Sequence, residues 1–448
     1  MAKKNQGFLE IIKRLRGDSD YAGDQHGGGA GSSGGGLPTG VPGNFMFATG
    51  IECSYPTIEG GRVRRDQLEE CGHYERWRDD LRLVKELGLK VLRYGLPYYA
   101  THLGPGKYDW SFADDVMPEM QRLEITPILD LLHFGVPEWL GNLQNPELPA
   151  HFADYCGAVA ERYPWVRYYT PVNEIYVTAR MSTLDGTWNE QRKTHEAFVT
   201  AMKHVVAASI LGTHAIAGRR PDAVIIQSES AEFVHEARAD QTQEVILGNK
   251  RRFISLDLLY AHPPDADVGM YLMDNGLTRE EYEWFMKGEP PGYQVMGNDY
   301  YGRNEKILKP DGTMCVAEDI MGWYQITRAY YERYKKPVMH TETNHFDPEE
   351  APTWLWKQWV NVLRMRADGV PVLGFTWYSL IDQIDWDSGL ARKDGHVCPC
   401  GLYDLQRKPR PVAASYRMLL EEFGRITVVP HAEMFVVTDQ PAMLKVEV

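Results

Sequence analysis

Eight short apolar runs, separated by long segments with helical spacing, constrain this chain more than any other feature. They are residues 45–50 (FMFATG), 90–94 (KVLRY), 125–133 (ITPILDLLH) and 167–173 (RYYTPVN), then 223–228 (AVIIQS), 293–299 (YQVMGND), 337–341 (PVMHT) and 372–377 (VLGFTW). Continuous rather than alternating apolarity suits strands buried on both faces. Between them, residues 74–87 place apolar side chains at three- and four-residue intervals and end at Gly88, a helix stop. Segments 112–123, 151–163, 195–211, 322–334, 354–367 and 413–423 behave similarly, and 280–287 predicts an extra helix in the long connection after run five. Eight strand–helix repeats predict an α/β chain folded as a (β/α)8 TIM barrel. A doubly wound sheet would put a Gly-rich phosphate turn after its first strand, and FMFATGIECS has none.

At 448 residues, the length alone suggests about three domains. The eight repeats instead place one barrel over 44–424, preceded by an arm (1–43) and followed by a tail (425–448). In the arm, FLEIIKRLR (8–16) reads as a short basic amphipathic helix free to dock on the barrel or a partner. HGGGAGSSGGG then makes a flexible linker, without the strand and helix a phosphate loop needs. The apolar stretch of 8–16 is too short for a signal peptide, so a cytoplasmic location is expected. The tail alternates apolar positions (ITVV, MFVV), which suits accessory strands at an interface and is compatible with a homo-oligomer.

Charge and composition exclude other classes. A net charge of −14 repels phosphate backbones, so no nucleic-acid partner is expected. No run of about 18 consecutive apolar residues occurs, so no membrane span is expected. The six cysteines are sparse for a disulfide framework and read as reduced thiols. Cys398-Pro-Cys400 with His396 has a metal-like spacing, but no second pair accompanies it, so neither metal nor cofactor is predicted.

In a barrel of this kind, catalytic residues sit at the C-terminal ends of the strands. Here the runs end on or beside Glu52, Arg93, His133, Asn173-Glu174, Glu229, Asp299-Tyr300-Tyr301, Glu342 and Trp377. Each alone has a structural explanation, as an ion pair or a satisfied core histidine. Together they describe a concave polar site. Glu174 and Glu342 stand out, because two carboxyls across one cleft are what glycosidic cleavage requires: a protonated acid for the leaving oxygen and an anion for the sugar carbon. A pair of salt-bridged barrel-end glutamates is the competing reading.

Seven motifs bear on that choice. YYTPVNEI (168–175) resembles the T-x-N-E-P signature of family 1 glycoside hydrolases, and PVMHTETN (337–344) resembles their I-T-E-N-G motif. LRYGLPYY (92–99), LDLLHFGVPEWL (129–140), GNDYYG (297–302), TWYSLIDQIDWDSGL (376–390) and GLYDL (401–405) are similar to further segments of that family, in the same order. The resemblance implies that Glu174 is the general acid/base, with Asn173 bonding the sugar 2-hydroxyl, and that Glu342 is the nucleophile. It implies that Tyr301, or its neighbour Tyr300, orients Glu342 and that Arg93 lies beneath it as counter-ion. His133 would bind a sugar hydroxyl, Trp377 would floor the glycone subsite, and Asp385 and Trp386 would meet the far hydroxyls.

There are departures. Pro56 stands where the family has Gln in S-Y-Q-x-E-G, so Glu52 or Tyr55 is expected to take over that contact. Ile175 replaces the proline after the acid/base, and Asp385 stands where Glu is usual. Ser388, Arg392 and Lys393 lie near the phosphate-binding positions of the family's phosphosugar branch, in a register closer to the non-phosphorylated one. The expected activity is a retaining β-glycosidase, β-glucosidase-like, acting on a small-molecule glycoside through a covalent intermediate. A transglycosidase using the same pair and a non-catalytic sugar-binding barrel are the alternatives.

Overall fold

The computed structural model describes residues 7–11, 43–237 and 242–428. The predicted Gly/Ser linker and most of the tail lie outside the described residues. The eight runs form eight strands: β1 (Met46–Gly50), β2 (Val91–Gly95), β3 (Thr126–Asp130), β4 (Tyr168–Thr170), β5 (Val224–Ser230), β6 (Tyr293–Asp299), β7 (Val338–Glu342) and β8 (Val372–Trp377). Each pairs in parallel with its sequence neighbours, and β8 pairs with β1 to close the barrel. β4 is shorter than its apolar run because Pro171 has no N–H to give the ladder. The chain leaves the sheet there and delivers Asn173 and Glu174 to the barrel mouth.

Strand side chains alternate with period two, so one inward row explains both the core and the site. Val91, Ile128 and Ile226 point inward low in the barrel and belong to its closed apolar centre. Two residues further along the same strands stand Arg93, Asp130 and Ser228, all buried. The interior therefore changes from hydrocarbon to polar at one level, and that level is the floor of the mouth.

Helices cover the outside: α1 (His73–Glu86), α2 (Ser111–Arg122), α3 (Leu148–Arg162), α4 (Ile175–Thr183) and α5 (His195–Ala217), then α6 (Gln243–Arg251), α7 (Ile254–Leu259), α8 (Ala266–Asp274) and α9 (Arg279–Phe285). The circuit ends with α10 (Gly322–Tyr334), α11 (Ala351–Ala367) and α12 (Pro411–Phe423). The predicted extra helix is α9, one of four in the β5–β6 connection. α5, with 23 residues, is long and apolar enough to cross a membrane by length and composition, yet 83% of its most apolar window is buried inside the fold. It is a core helix. The helical turn 8–11 docks on the barrel, where the Phe8 ring lies 5.2 Å from that of His204 on α5 and edge-on to Trp284 on α9. Residues 425–428 begin the tail by pairing back to 43–45.

A buried ion network ties the segment after β8 to α1. Arg407 donates to both oxygens of Asp80 at 2.8 Å, Asp80 bonds His73 Nδ1 at 2.8 Å, and His73 Nε2 meets the Tyr94 hydroxyl at 3.0 Å. Burial pushes the Asp80 carboxyl up, but His73 and Arg407 outweigh it and hold it below the usual carboxylate range. Removing one partner leaves an uncompensated buried charge. Arg407→Ala is accordingly expected to cost about 3–5 kcal/mol, read from chemical denaturation at neutral pH. As the pH falls through the lowered Asp80 pKa, the wild type loses this advantage and the two proteins converge.

Candidate active site

The C-terminal strand ends open into one cavity of about 600 Å3, walled by Glu52, His133, Glu174, Tyr301, Glu342 and Trp386 among others. Glu342 is the last residue of β7. The Tyr301 hydroxyl donates to one of its oxygens at 2.6 Å, and the Arg93 guanidinium donates to the other. Arg93 also reaches Asp130 at 2.8 Å and the Asn173 side-chain oxygen at 2.5 Å, and lies 3.9 Å from Asp299. A single buried cation thus fixes one carboxylate, aligns one amide and offsets two further acids. Charge-assisted bonds of this kind are short and hold geometry well.

Glu174 has the opposite environment. It sits between β4 and α4 in the left-handed region, at φ +40° and ψ +66°, a conformation costly for a residue with a Cβ. Its backbone N–H is satisfied by Ser228 O at 3.0 Å. Burial raises its carboxyl far above the usual range, and the charges of Asp299, Glu342 and Glu229 push it further in the same direction. One carboxyl of the cleft therefore keeps its proton, while the other accepts from a guanidinium and a phenol. Behind Glu174, Glu229 accepts the Tyr176 and Ser230 N–H groups, and burial pushes it up to about 7.

Asp299 is the residue in this group that sequence reasoning left without a role. It ends β6 fully buried, with Ser228 Oγ donating to one oxygen at 2.5 Å and Oδ1 without a hydrogen-bond partner. Burial and Glu342 raise its own pKa, and among the charged neighbours it is the largest contributor to the raised pKa of Glu174. Asp299→Asn removes that influence and keeps the shape. Its expected consequence is a downward shift of the alkaline limb of kcat/KM, measured as a pH–rate profile against wild type. An unmoved limb would mean that Asp299 does not act on Glu174.

Hydrogen-bond polarity fixes Asn173 and His133. Arg93 can only donate, so Asn173 turns its oxygen toward Arg93 and its NH2 toward His133 Nε2, 2.9 Å away. Nε2 then accepts, and Nδ1 carries the proton to Asp130 at 2.9 Å. Burial opposes a charged His133, while the charges of Cys53 and Asp130 and their hydrogen bonds pull it upward. Burial also raises the Cys53 thiol, leaving it neutral near pH 7, and an imidazolium would set Nε2–H against the Asn173 donor. The neutral ring is the consistent state. Glu52 completes the same wall, accepting from Ser54 N at 2.9 Å and from Gln383 Nε2 at 3.0 Å.

Three sequence expectations are corrected. Trp377 does not line the cavity. It is the last residue of β8, its ring lies in the outer strand–helix core, and its N–H donates to Cys400 O at 3.0 Å. A step of one residue reverses the face, and Tyr378 is the ring against the site, 5.5 Å from Arg93 and stacked at 13° on His133. Asp385 also turns away from the cavity. It accepts from Arg65 at 3.0 Å and from the N–H groups of Asp394, Gly395 and His396, which fold its own loop. Tyr300 points outward, with its hydroxyl on Glu305 at 2.7 Å and its ring stacked on Trp354, so Tyr301 alone of the two reaches Glu342. Asp299 was named without a role, and the residues missed are Asp130, Tyr378 and Gln383. Asp130 was open to discovery, since it follows inward Ile128 by one period of the strand.

The Glycosyl hydrolase family 1 model matches residues 54–276. Relatives extend the likeness over most of the chain. A 1,4-beta-D-glucan glucohydrolase of Thermotoga neapolitana is 22% identical over 73% of this chain and 85% of its own. A beta-glucosidase of Agrobacterium sp. (strain ATCC 21400) is 21% identical over 77% and 83%. The solved beta-glucosidase from Thermotoga maritima in complex with azafagomine superposes with a TM-score of 0.70 at 18% identity, covering 87% of this chain and 99% of that one. The chain is a distant family 1 glycoside hydrolase. At these identities the solved neighbours speak for the barrel. In this family 1 chain Glu174 and Glu342 both line the cavity, with Glu52 and Gln383 on its wall and Asp385 withdrawn from it.

Proposed function

We propose that the chain is a retaining β-glycosidase that hydrolyses a β-linked, glucosidase-type glycoside through a covalent glycosyl-enzyme. The supporting observation is the asymmetry of the two cavity carboxyls. Glu174 keeps its proton by burial and acidic neighbours. Glu342 is gripped by Arg93 and Tyr301. In the first half-reaction Glu342 attacks the anomeric carbon while Glu174 gives its proton to the departing oxygen. In the second, Glu174 takes a proton from water, the water oxygen displaces Glu342, and the sugar leaves with its original configuration. Asn173, aligned by Arg93, and neutral His133 present a polar edge to the sugar hydroxyls. Every proton and bond in the cycle is handled by side chains already in place.

The test is a panel of nitrophenyl glycosides of both anomers, with and without a 6-phosphate. Turnover is expected for unphosphorylated β-glycosides, with the β-anomer as the first product seen by NMR. A first-formed α-anomer would replace the double displacement with an inverting mechanism. Turnover of α-glycosides alone would overturn the reading.

A further inference from the structure

The loop that Asp385 folds carries a second constellation, at the cavity wall and outside the carboxyl pair. We propose that Asp387, His396 and Cys398 bind a borderline divalent cation of the zinc type, which cross-links this loop at the cavity wall. The sequence spacing supplied only Cys398, Cys400 and His396. In the fold Cys400 belongs elsewhere, with its thiol buried near Asp382, and Asp387 takes its place in the set.

Geometry carries the proposal. The three donor atoms all lie within 4.8 Å of one another. Asp387 Oδ1 is 3.3 Å from His396 Nδ1 and 3.8 Å from Cys398 Sγ. Bonds of about 2.0–2.3 Å at tetrahedral angles separate neighbouring donors by roughly 3.3–3.6 Å, so a common centre needs only small side-chain shifts. One thiolate, one imidazole and one carboxylate form a mixed soft and hard set that suits zinc better than magnesium or calcium. Three protein ligands leave a fourth position for solvent.

The loop is prepared for such a set. Residues Gln383–Ile384 pair antiparallel with Val397–Cys398, and the chain after Ile384 folds back so that Asp387 lies against Cys398. Asp385 gathers the N–H groups of Asp394, Gly395 and His396, so His396 is held at the backbone although its side chain is largely exposed. The Asp387 N–H donates to Cys398 Sγ at 3.3 Å and so fixes the sulfur beside the carboxylate, while burial pushes the metal-free thiol up to about 11. Two cations stand close. Arg392 faces the other Asp387 oxygen at 3.9 Å, and Arg303 holds the backbone carbonyl of Trp386 at 3.0 Å. Both orient the loop and leave Oδ1 toward the other two donors. Trp386 and Asp387 also line the cavity, so a bound ion would rigidify part of its wall.

The experiment is calorimetric titration of ZnCl2 into the full-length, chelator-treated protein, repeated with CoCl2 and followed by near-ultraviolet absorption. One ion per chain is expected, with a thiolate-to-cobalt band. His396→Ala and Cys398→Ser are each expected to weaken binding at least tenfold, and the cobalt band to vanish in Cys398→Ser. His396 is exposed, so its variant tests the site even if Cys398→Ser misfolds. Cys53→Ser reports on the other close trio, Cys53, Asp130 and His133, and is expected to bind as wild type. Absence of binding, wild-type affinity in His396→Ala, or loss confined to Cys53→Ser would each overturn the proposal.

Discussion

Glu342→Ala is expected to lose at least about 10^4-fold in kcat/KM, roughly 5.5 kcal/mol of barrier, and to regain turnover with azide. The variant deletes the group that attacks the anomeric carbon and opens a space of carboxylate size beside Arg93. That guanidinium and the Tyr301 hydroxyl would still point into the space, since each is placed by its own strand end. Both are donors, so a small anion is the natural occupant. Azide bound there attacks from the face that Glu342 used. A single displacement inverts the centre, and the product is the α-glycosyl azide. The sugar linkage in that product, read by NMR, assigns the role more sharply than the loss of rate. Wild-type activity in Glu342→Ala would remove the nucleophile assignment. Strong loss with no rescue in the presence of a good leaving group would point to a positioning role instead.

How far such a site was legible in the sequence differs by residue type. The barrel was legible because strands buried on both faces read as mostly apolar runs without alternation, and eight such runs recur between helical segments. Residues on the strands themselves, such as Arg93 and Glu342, were legible because their position follows from the strand, and Glu174 because it lies in the short step from β4 to α4. Trp377 failed on parity. Near the end of β8 a one-residue error reverses inside and outside, and two adjacent aromatics, Trp377 and Tyr378, hide the error in composition. Asp385 failed for another reason. A carboxylate in a long loop can serve the substrate or the loop itself, and the partners that decide are Arg65, far away in sequence, and three backbone N–H groups that no side-chain motif records. Asp299 was named at the end of its strand but given no task, since an acidic residue before a tyrosine pair shows what it does only once burial beside Glu174 and Glu342 is seen.

Glu174→Gln separates acid from nucleophile by leaving-group dependence. Glutamine keeps the size and loses the transferable proton. For an alkyl glycoside, whose oxygen leaves poorly without protonation, the loss is expected to be about 10^2- to 10^4-fold. For a dinitrophenyl glycoside the first step needs little acid help, so it stays fast and the slow step becomes removal of the sugar from Glu342. A burst of phenol release followed by slow turnover is the expected trace. Azide needs no general base, so it accelerates that second step. It arrives from the face opposite Glu342, giving the β-glycosyl azide, the other anomer from the one expected of Glu342→Ala. The pH profile adds an independent check. The raised pKa of Glu174 means that wild-type kcat/KM falls as pH rises through it, when the acid is lost. That alkaline limb belongs to Glu174 and Asp299 together, both raised by burial and by the neighbouring Glu342 charge, so it carries an apparent value for the pair. In Glu174→Gln the limb is expected to disappear, whereas in Asp299→Asn it only moves to lower pH. Retention of an unchanged alkaline limb in Glu174→Gln would assign it elsewhere, and Glu229, pushed to about 7 beneath the same helix start, is the group that would then have to be titrated next.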